Sequence, residues 1–340
     1  MHIERTTEPP PDWDAIHGED PRATMFLHPR WMEALVRAYP LYRPLYLVAR
    51  EGNSVVGILP LVHVRRWGLD QFLSLPSGAH GGPLLRASAP PETSAELAAA
   101  FRALVSGART LRFEMSIHAP PSDLRAALAP AFGPFFQDLR THVIDLEGGA
   151  LGLWPRYRRS ARRSIRAAEE AGVLVGLDRS AGAIEALHRL HEDQSRDWAG
   201  IPPYSLGVIR STAAAFGMDA RLYTARFRDQ VIAACLCLEH GGREVHPWVS
   251  GASPASRELG AFHSLIDAAL RDVAARGFKT WYFGGSGGNA RIEFFKESFS
   301  ARPVPLLRCF HLAGWARRLR RRPAWDAAVS QKTNPGAEGA

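Results

Sequence analysis

One lysine lies among aromatic residues near the end of the chain, in the segment FGGSGGNARIEFFKESF (283–299). Lys296 follows Phe294 and Phe295 and precedes Phe299. An ammonium group in such a partly dry environment is able to stabilise negative charge that develops during a reaction. The alternative is a surface lysine on a C-terminal helix, with its alkyl chain resting on apolar neighbours. The residues by themselves leave both interpretations open.

The glycine run Gly284–Gly288, broken only by Ser286, does not have the pattern of a nucleotide-binding loop. A Walker loop requires Gly-Lys-Ser/Thr at the start of a helix, whereas Asn289-Ala290-Arg291 follows here. The Gly-x-Gly-x-x-Gly spacing of a dinucleotide fold is also missing. The glycines therefore do not predict either kind of phosphate cradle.

A second candidate site is a helix with many arginines. Six arginines and no acidic residue occur between Arg156 and Arg166. In a helix, Arg159 and Arg163 would share one face with Arg166, and the apolar residues Ala161 and Ile165 would lie on the opposite side. Guanidinium groups in this arrangement suit the phosphates of tRNA, a nucleotide or coenzyme A. The alternative is an ordinary solvated helix face.

Composition is typical of a soluble globular protein large enough for two domains. The chain has 340 residues, of which 46% are hydrophobic and 22% charged, and its net charge is +8. Neither a long apolar run nor an apolar N-terminal segment is present, so we expect a cytoplasmic protein. Five further arginines at 317–322 make the C-terminal tail basic, which favours an anionic partner such as RNA or a membrane surface.

The cysteines and histidines do not predict a metal site. Cys235 and Cys237 lie on the same face of a predicted strand, Cys309 stands alone, and we expect all three to be small core residues. His188 and His191 have helical spacing but no third ligand at a suitable distance in the sequence.

An internal repeat gives the best indication of architecture. LYLVAREGNSVVGILPLV begins at Leu45, and LYTARFRDQVIAACLCLE begins at Leu222. Each segment predicts a β-hairpin, and their separation of about half the chain indicates two copies of one domain. In both halves a strong amphipathic helix, one following Glu92 and one following Gly260, precedes another strand. The basic segment LWPRYRRSARRSIRAAEEAG predicts a single helix that ends at Gly172.

The order of these motifs resembles a known family. GFKTWYFGGSGGNARIEFFKESFSARPVP, preceded by SLIDAALRDVAARG and WVSGAS, resembles the second domain of the Fem-type aminoacyltransferases, which are tandem-domain members of the GNAT acyltransferase superfamily. WPRYRRSARRSIRAAEEAG resembles the basic helix between their domains, and FLHPRWMEAL with VVGILPLV resembles their first domain. The resemblance covers about residues 26–310.

The resemblance implies a mixed α/β fold with two tandem GNAT-like domains. Each domain would have a mixed, mostly antiparallel sheet flanked by helices. We expect a lead segment at 1–25, a first domain at 26–148, a second, catalytic domain at 149–314 and a flexible basic tail at 315–340.

The resemblance also implies roles for particular residues. Lys296 matches the functional lysine of the family's Phe-Lys-x-x-Phe motif, and Glu114 or His246 would accept the proton released by an attacking amine. The remaining candidates would bind the donor or another substrate; they are Arg158, Arg159, Arg162, Arg163, Trp248, Gly284, Gly285 and Phe295.

The expected reaction transfers an aminoacyl group from aminoacyl-tRNA to the amine of a small molecule or cell-envelope precursor. The sequence matches the usual GNAT pyrophosphate-binding loop only in part. Arg257 and Gly260 fit its pattern, but Phe262 occupies a position where a small residue is needed. This favours tRNA over an acyl-CoA donor, although an acyl-CoA-dependent N-acyltransferase of the same fold is the first alternative. A non-catalytic module that binds RNA or a membrane surface is the second. We expect no tightly bound cofactor, no DNA partner, and peripheral membrane contact by the basic tail.

Overall fold

The computed structural model describes residues 1–118, 122–196, 202–286 and 289–314. The predicted tail at 315–340 and two glycines of the glycine run, Gly287 and Gly288, lie outside the described residues. The described chain forms two compact units. Unit 1 consists of Met1–Leu139 and the described residues from Pro305 onward, and unit 2 consists of Arg140–Val304.

The first part of the chain contains seven strands and four helices. In order they are β1 (His2–Thr6), α1 (Trp13–Glu19), α2 (Pro29–Ala38), β2 (Arg43–Glu51), β3 (Ser54–Arg66), β4 (Leu69–Ser74), β5 (Leu84–Leu85), α3 (Thr93–Val105), β6 (Thr110–His118), α4 (Ser122–Phe132) and β7 (Phe136–Asp145).

The second part contains the remaining helices and strands. In order they are α5 (Gly149–Arg156), α6 (Arg159–Glu170), β8 (Leu174–Leu177), α7 (Ala181–Ser195), α8 (Leu206–Phe216), β9 (Ala220–Phe227), β10 (Gln230–His240), β11 (Glu244–Ala252), α9 (Pro254–Leu259), α10 (Ala261–Ala275), β12 (Thr280–Gly285), α11 (Ala290–Ser298) and β13 (Arg302–Leu312).

The sheet of unit 1 is mixed and mostly antiparallel. Its strands lie in the order β1-β2-β3-β4-β6-β13, and β5 pairs with β3. Only β4 and β6 are parallel within this set, and helix α3 connects them. A helical connection of this kind is what a parallel pair requires.

The sheet of unit 2 repeats this arrangement. Its strands lie in the order β7-β12-β11-β10-β9-β8, and among these only β11 and β12 are parallel. Helix α10 connects that pair, as α3 connects β4 and β6 in unit 1. The predicted fold class, mixed α/β with mixed and mostly antiparallel strand pairing flanked by helices, is confirmed.

The units differ in their bounds from the predicted domains, 26–148 and 149–314. Most of β13 belongs to unit 1, where it pairs with β6. The second half of β7 belongs to unit 2, where it pairs with β12. The strands that close each sheet therefore come from parts of the chain that a linear division assigns elsewhere.

Both predicted hairpins are present. β2 and β3 are joined by Gly52 and Asn53, and β9 and β10 by Arg228 and Asp229. Gly52 has a φ of 58°, and Arg228 and Asp229 have φ values of 48° and 64°. Positive φ in two-residue hairpin loops matches the right-handed twist of the flanking strands.

The core of unit 2 lies between its sheet and the helices α6 and α10. Ala161 and Ile165 of α6 are buried there against Leu265 of α10, as their helical spacing predicts. Cys235 and Cys237 are buried in the same core with their sulfurs 3.8 Å apart, and Cys309 is buried in unit 1. The prediction that all three cysteines are core residues is confirmed.

The prediction of a single basic helix is wrong, because α5 ends at Arg156 and α6 begins at Arg159. Tyr157 is buried, and its ring lies 5.0 Å from that of Phe299. Arg158 is extended, and its backbone N–H donates to the carbonyl of Ser298 at 2.8 Å. These two contacts with the end of α11 interrupt the helix.

Gly260 sets the distance between α6 and α10. It has a φ of 73°, and an added methyl group would overlap the backbone carbonyl of Ser164 on α6. We expect Gly260→Ala to lower the free energy of unfolding by about 3–5 kcal/mol, since overpacking and backbone strain each cost about 1–3 kcal/mol. Urea denaturation of the purified variant measures this loss.

Gly172→Ala is the matched control for this prediction. Gly172 has a φ of 78° with nothing within 4 Å of the added methyl group, so only backbone strain applies. Its expected cost is about 1–2 kcal/mol. Equal losses in the two variants would show that the contact with Ser164 is not tight.

Candidate active site

The parallel strands β11 and β12 part soon after they begin. They pair at Glu244 with Thr280 and at Val245 with Trp281, and these are their only paired positions among the described residues. In unit 1, the parallel pair β4 and β6 stays together from Asp70 to Ser74. We call the opening between residues 246–252 of β11 and 282–285 of β12 the cleft. It is a feature of unit 2.

A β-bulge shapes the β11 side of the cleft. Leu236 of β10 faces Val249, whereas the next residue, Cys237, faces Pro247, so Trp248 is the extra residue. Bulges redirect side chains and are common beside active sites. The ring of Trp248 stacks on that of Tyr204 with 5.4 Å between centroids. Trp248 therefore occupies a fixed position next to the cleft, on the strand predicted to contact substrate.

His246 lies at the point where the two strands part. Its ring is buried, its Nε2 is 3.1 Å from Oε2 of Glu244, and its centroid is 4.8 Å from that of Tyr282. Burial acts to raise the pKa of Glu244, but the hydrogen bond with His246 and the nearby basic groups outweigh it and hold that pKa below its usual value. A histidine oriented by a carboxylate is a suitable proton acceptor.

Lys296 is buried, with only 3% of its surface exposed, so the alternative of a surface lysine is wrong. Its Nζ donates to the carbonyls of Gly284 at 2.7 Å and Gly285 at 3.0 Å, and to Oγ of Ser286 at 2.9 Å. The hydroxyl of Thr141 also donates to the carbonyl of Gly284, at 2.6 Å. The lysine therefore fixes the end of β12, which forms one edge of the cleft.

The environment of Lys296 makes its charge sensitive to pH. Burial lowers its pKa to about 8, and the nearby Glu293 acts in the opposite direction. Its three hydrogen bonds all use it as a donor, which suits the ammonium form. Below about pH 8 the cleft thus has a fixed positive charge beneath the Gly284–Ser286 backbone.

Phe295 is the centre of an aromatic cluster formed by Phe262, His263, Phe283, Phe295 and Phe299. The ring centroids of His263 and Phe299 lie 4.9 Å and 5.4 Å from that of Phe295. Phe295 and Phe283 are both half-buried, so part of the cluster is open to solvent. It offers aromatic faces on which a planar group of a substrate is able to stack.

Burial of His263 makes the stability of the folded chain depend on pH. Burial lowers its pKa from 6.5 to about 4. Between these values the unfolded chain binds a proton that the folded chain does not, so stability falls as the pH falls from about 6.5 to about 4. We expect the Tm of the wild type to drop by roughly 2–5 °C more than that of His263→Phe over this range.

Differential scanning calorimetry at several pH values measures this difference. His2→Asn is the control, because His2 is exposed at the chain start. An equal drop in Tm for the wild type and His263→Phe would contradict the assignment of a neutral, desolvated imidazole to this cluster.

Three of the arginines predicted to bind phosphate lie on helix α6 and have no acidic partner among the described residues. Arg159 and Arg163 are exposed and Arg162 is half-buried, and none of the three has a side-chain hydrogen bond or ion pair with a described residue. Arg158 differs, because it donates to Glu297 of α11 at 2.9 Å and lies over the ring of Phe294. Three of the four predicted arginines are therefore available to bind phosphate.

Helix α9 occupies the position of the usual pyrophosphate loop. The backbone N–H of Gly260 donates to Ser256, and those of His263 and Ser264 donate to Gly260. These amides already have partners within the chain. Because these amides are already engaged, they are less available to bind a diphosphate, as the sequence predicts.

Glu114 belongs to unit 1, whereas the cleft residues belong to unit 2. Its carboxylate accepts hydrogen bonds from Arg112 and Arg308. Burial acts to raise its pKa, but the two arginines outweigh this and hold the pKa below its usual value. A carboxylate held so firmly in its charged form is a weak proton acceptor at neutral pH.

Sequence reasoning missed three residues around the cleft. Glu244 was recognisable, since it lies two positions before His246 and so shares its strand face. Thr141 and His142 of β7 gave no signal, because register alone brings β7 beside β12. His142 is buried 3.9 Å from Glu297, and its Nδ1 has no hydrogen-bond partner within the described chain.

Comparison with known proteins agrees with this geometry. The Acetyltransferase (GNAT) domain family matches residues 155–297. The crystal structure of FemX aligns with a TM-score of 0.64 and 11% identity, over 93% of this chain and 99% of FemX. A tandem GNAT protein from the clavulanic acid biosynthesis pathway aligns with a TM-score of 0.54 and 13% identity, over 91% of this chain and 98% of that one.

The fold also resembles the C-terminal domain of a putative lysylphosphatidylglycerol synthetase from Agrobacterium fabrum. That alignment has a TM-score of 0.54 and 12% identity, over 96% of this chain and 97% of the domain. No curated protein is significantly similar in sequence. At these identities the structural similarities establish the fold.

The fold and the cleft define a tandem GNAT-fold protein. Residues 155–297 match the Acetyltransferase (GNAT) domain, and this match indicates that the protein is an acyltransferase. It is therefore an enzyme, and the alternative of a non-catalytic binding module is wrong. Among the described residues, no helix is long and apolar enough to cross a membrane.

Proposed function

We propose that the enzyme forms an amide bond by transferring an aminoacyl group from aminoacyl-tRNA to the amine of a small molecule or cell-envelope precursor. The observation that carries the donor assignment is the set of unpaired arginines on α6, together with the occupied amides at Gly260. The unpaired arginines favour a ligand with several phosphates along a backbone, such as tRNA. The engaged amides at Gly260 disfavour binding of the diphosphate of coenzyme A at its usual subsite.

The reaction needs few chemical groups. The acceptor amine attacks the ester carbonyl, a C–N bond forms, and the C–O bond to the terminal ribose of the tRNA breaks. The amine loses one proton and the departing ribose oxygen gains one. Positioning, stabilisation of the oxyanion and transfer of that proton are what the enzyme must supply.

The cleft residues fit these requirements. His246, oriented by Glu244, accepts the proton of the attacking amine and returns it to the ribose oxygen. Lys296 places a positive charge under the Gly284–Ser286 backbone and keeps that edge of the cleft in place. Trp248 and Phe295 hold planar parts of the two substrates.

Helix α6 binds the donor. Arg159, Arg162 and Arg163 contact phosphates of the tRNA, since unpaired guanidinium groups form strong, charge-assisted hydrogen bonds with phosphate oxygens. Arg158 instead ties α6 to Glu297 on the helix that carries Lys296. This ion pair connects α6, the proposed donor-binding helix, to α11, the helix that carries Lys296.

An acyl-CoA donor is the alternative, and the GNAT acetyltransferase match of residues 155–297 favours it. In that case the unpaired arginines bind the phosphates of coenzyme A, and the acyl group enters the same cleft. The acceptor and the amide product remain as proposed. The two donors differ in the number of phosphates engaged, which makes salt dependence informative.

Filter retention of aminoacylated bulk tRNA across a salt titration tests the proposal, with acetyl-CoA as competitor. We expect retention whose log-log salt slope corresponds to about three or more phosphates. Deacylated tRNA should bind more weakly, because it lacks the group that enters the cleft. Absence of retention at low salt, with thermal stabilisation by acetyl-CoA, would overturn the tRNA assignment.

A further inference from the structure

Unit 1 has a charged group on a sheet face that no acyl-transfer role explains. The antiparallel register places Phe310 opposite Glu114 and Arg308 opposite Ser116, so these side chains share one face with Arg112. The alternate residues of both strands, such as Phe113, are buried in the core of unit 1. We call Arg112, Glu114 and Arg308 the charged triad.

The charged triad has one positive charge in excess. Arg308 donates to Oε1 of Glu114 through Nε at 3.1 Å and Nη2 at 2.6 Å, and Arg112 donates to Oε2. Both carboxylate oxygens are therefore occupied by two guanidinium groups. The Nε–H of Arg112 is buried and has no acceptor among the described residues. The donors of the triad exceed its acceptors.

The triad remains open to solvent on one side. The side chains of Arg112 and Arg308 are each 32% exposed, and that of Glu114 is 23% exposed. The ring of Phe310 lies beneath both guanidinium groups, 4.4 Å from that of Arg308 and 5.9 Å from that of Arg112. The arginines are thus fixed by a carboxylate and an aromatic ring while part of each stays accessible.

Tyr42 of the same unit interacts electrostatically with the triad. Burial, followed by the neighbouring Tyr39, raises the pKa of Tyr42, and the charges of Arg112 and Glu114 act on it in opposite directions. Its phenol stays protonated at neutral pH. It lies close enough to the triad to feel both charges.

Stability alone does not explain a charged triad at this position. Half-buried ion pairs lose much of their mutual attraction to desolvation, and apolar replacements are often as stable. The described strands β4 and β6 stay paired as far as Ser74 and Met115, without the opening that β11 and β12 form in unit 2, so no acyl-transfer role is assigned to the triad. An excess of fixed, accessible guanidinium donors is the chemistry of anion recognition.

We infer that Arg112 and Arg308 form a binding site for an oxyanion, the phosphate or carboxylate of a small molecule, and that Glu114 orients both guanidinium groups. The site is built only from residues of unit 1 and does not depend on the identity of the acyl donor. Its ligand supplies the acceptors that the triad lacks.

Isothermal titration with inorganic phosphate and, separately, with succinate tests this site. The full-length chain is used with Arg159, Arg162 and Arg163 changed to Gln, so that the arginines of α6 do not contribute. We expect one site, lost in Arg112→Met/Arg308→Met. Tighter binding of phosphate or of succinate identifies the ligand class, and both results support the site.

Glu114→Gln keeps the proposal testable if the double variant does not fold. Glutamine retains one acceptor oxygen to orient Arg308, while loss of the carboxylate raises the net charge of the site from one to two, so anion affinity is expected to rise about tenfold. Arg308→Lys keeps the charge but cannot form bidentate hydrogen bonds, so this variant is expected to bind the anion about tenfold more weakly. Equal affinities in the parent and both variants would overturn the inference.

Discussion

Lys296→Met is expected to lower kcat/KM for acyl transfer by about 10²-fold, because it removes the fixed charge beneath the Gly284–Ser286 backbone and releases the edge of the cleft that this lysine holds in position. Methionine keeps most of the volume of lysine but removes the charge and all three hydrogen bonds to Gly284, Gly285 and Ser286. The measurement is the initial rate of ester loss from labelled aminoacyl-tRNA in the presence of amine acceptors, over a range of substrate concentrations.

This variant will also be less stable, because Lys296 is buried and its acceptors lose their donor. Polar groups left without a partner in this way cost about 1–3 kcal/mol each. Thr141→Val is the matched control, since Thr141 donates to the same Gly284 carbonyl but carries no charge. We expect this control to lose stability with less than about a tenfold loss of activity.

Similar losses of activity in the two variants would contradict a role for the charge of Lys296. They would show that the lysine acts only by holding the end of β12. Urea denaturation of each variant separates the loss of folded protein from the loss of turnover.

Replacement of Arg159, Arg162 and Arg163 by Gln is expected to weaken binding of aminoacyl-tRNA by about 10²-fold or more at moderate salt. Each lost phosphate contact removes about 0.7–0.9 from the log-log salt slope, so the slope should fall by about two to three. These side chains have no acidic partner among the described residues, so the fold should retain its stability. Filter retention across a salt titration gives both quantities.

The control for this triple variant removes the same net charge elsewhere. Arg37, Arg109 and Arg189 are exposed elsewhere in the chain, and their replacement by Gln tests for a general effect of charge. We expect this control to retain most of the affinity and the slope. An equal decrease in both variants would mean that tRNA binds through the overall positive charge and that α6 is not a specific site.

The sequence carried enough information to predict the repeated architecture. The hairpins that begin near Leu45 and Leu222, each followed by a strand and an amphipathic crossover helix, were recognisable from alternation and helical periodicity. Burial of Ala161 and Ile165 also followed from spacing along α6. These features depend on local patterns that repeat within a few residues.

The cleft was not predictable in the same way. Its opening depends on the register between β11 and β12, and the position of Trp248 depends on a one-residue shift between β10 and β11. The depth of Lys296 depends on carbonyls that lie 11 and 12 positions earlier in the chain. The break between α5 and α6 depends on Ser298. Such contacts join distant parts of the chain and leave no periodic signal.

Transfer of label from aminoacyl-tRNA to an amine tests the central claim most directly. The protein is incubated with bulk tRNA charged with labelled amino acids and with a panel of amino sugars and polyamines, and the products are treated with mild base. The proposed function predicts label in a base-stable amide, formed by the wild type and nearly absent with Lys296→Met. Label that stays wholly in the base-labile ester, while acetyl-CoA releases a free thiol in a parallel reaction, would contradict aminoacyl transfer and assign the enzyme an acyl-CoA donor.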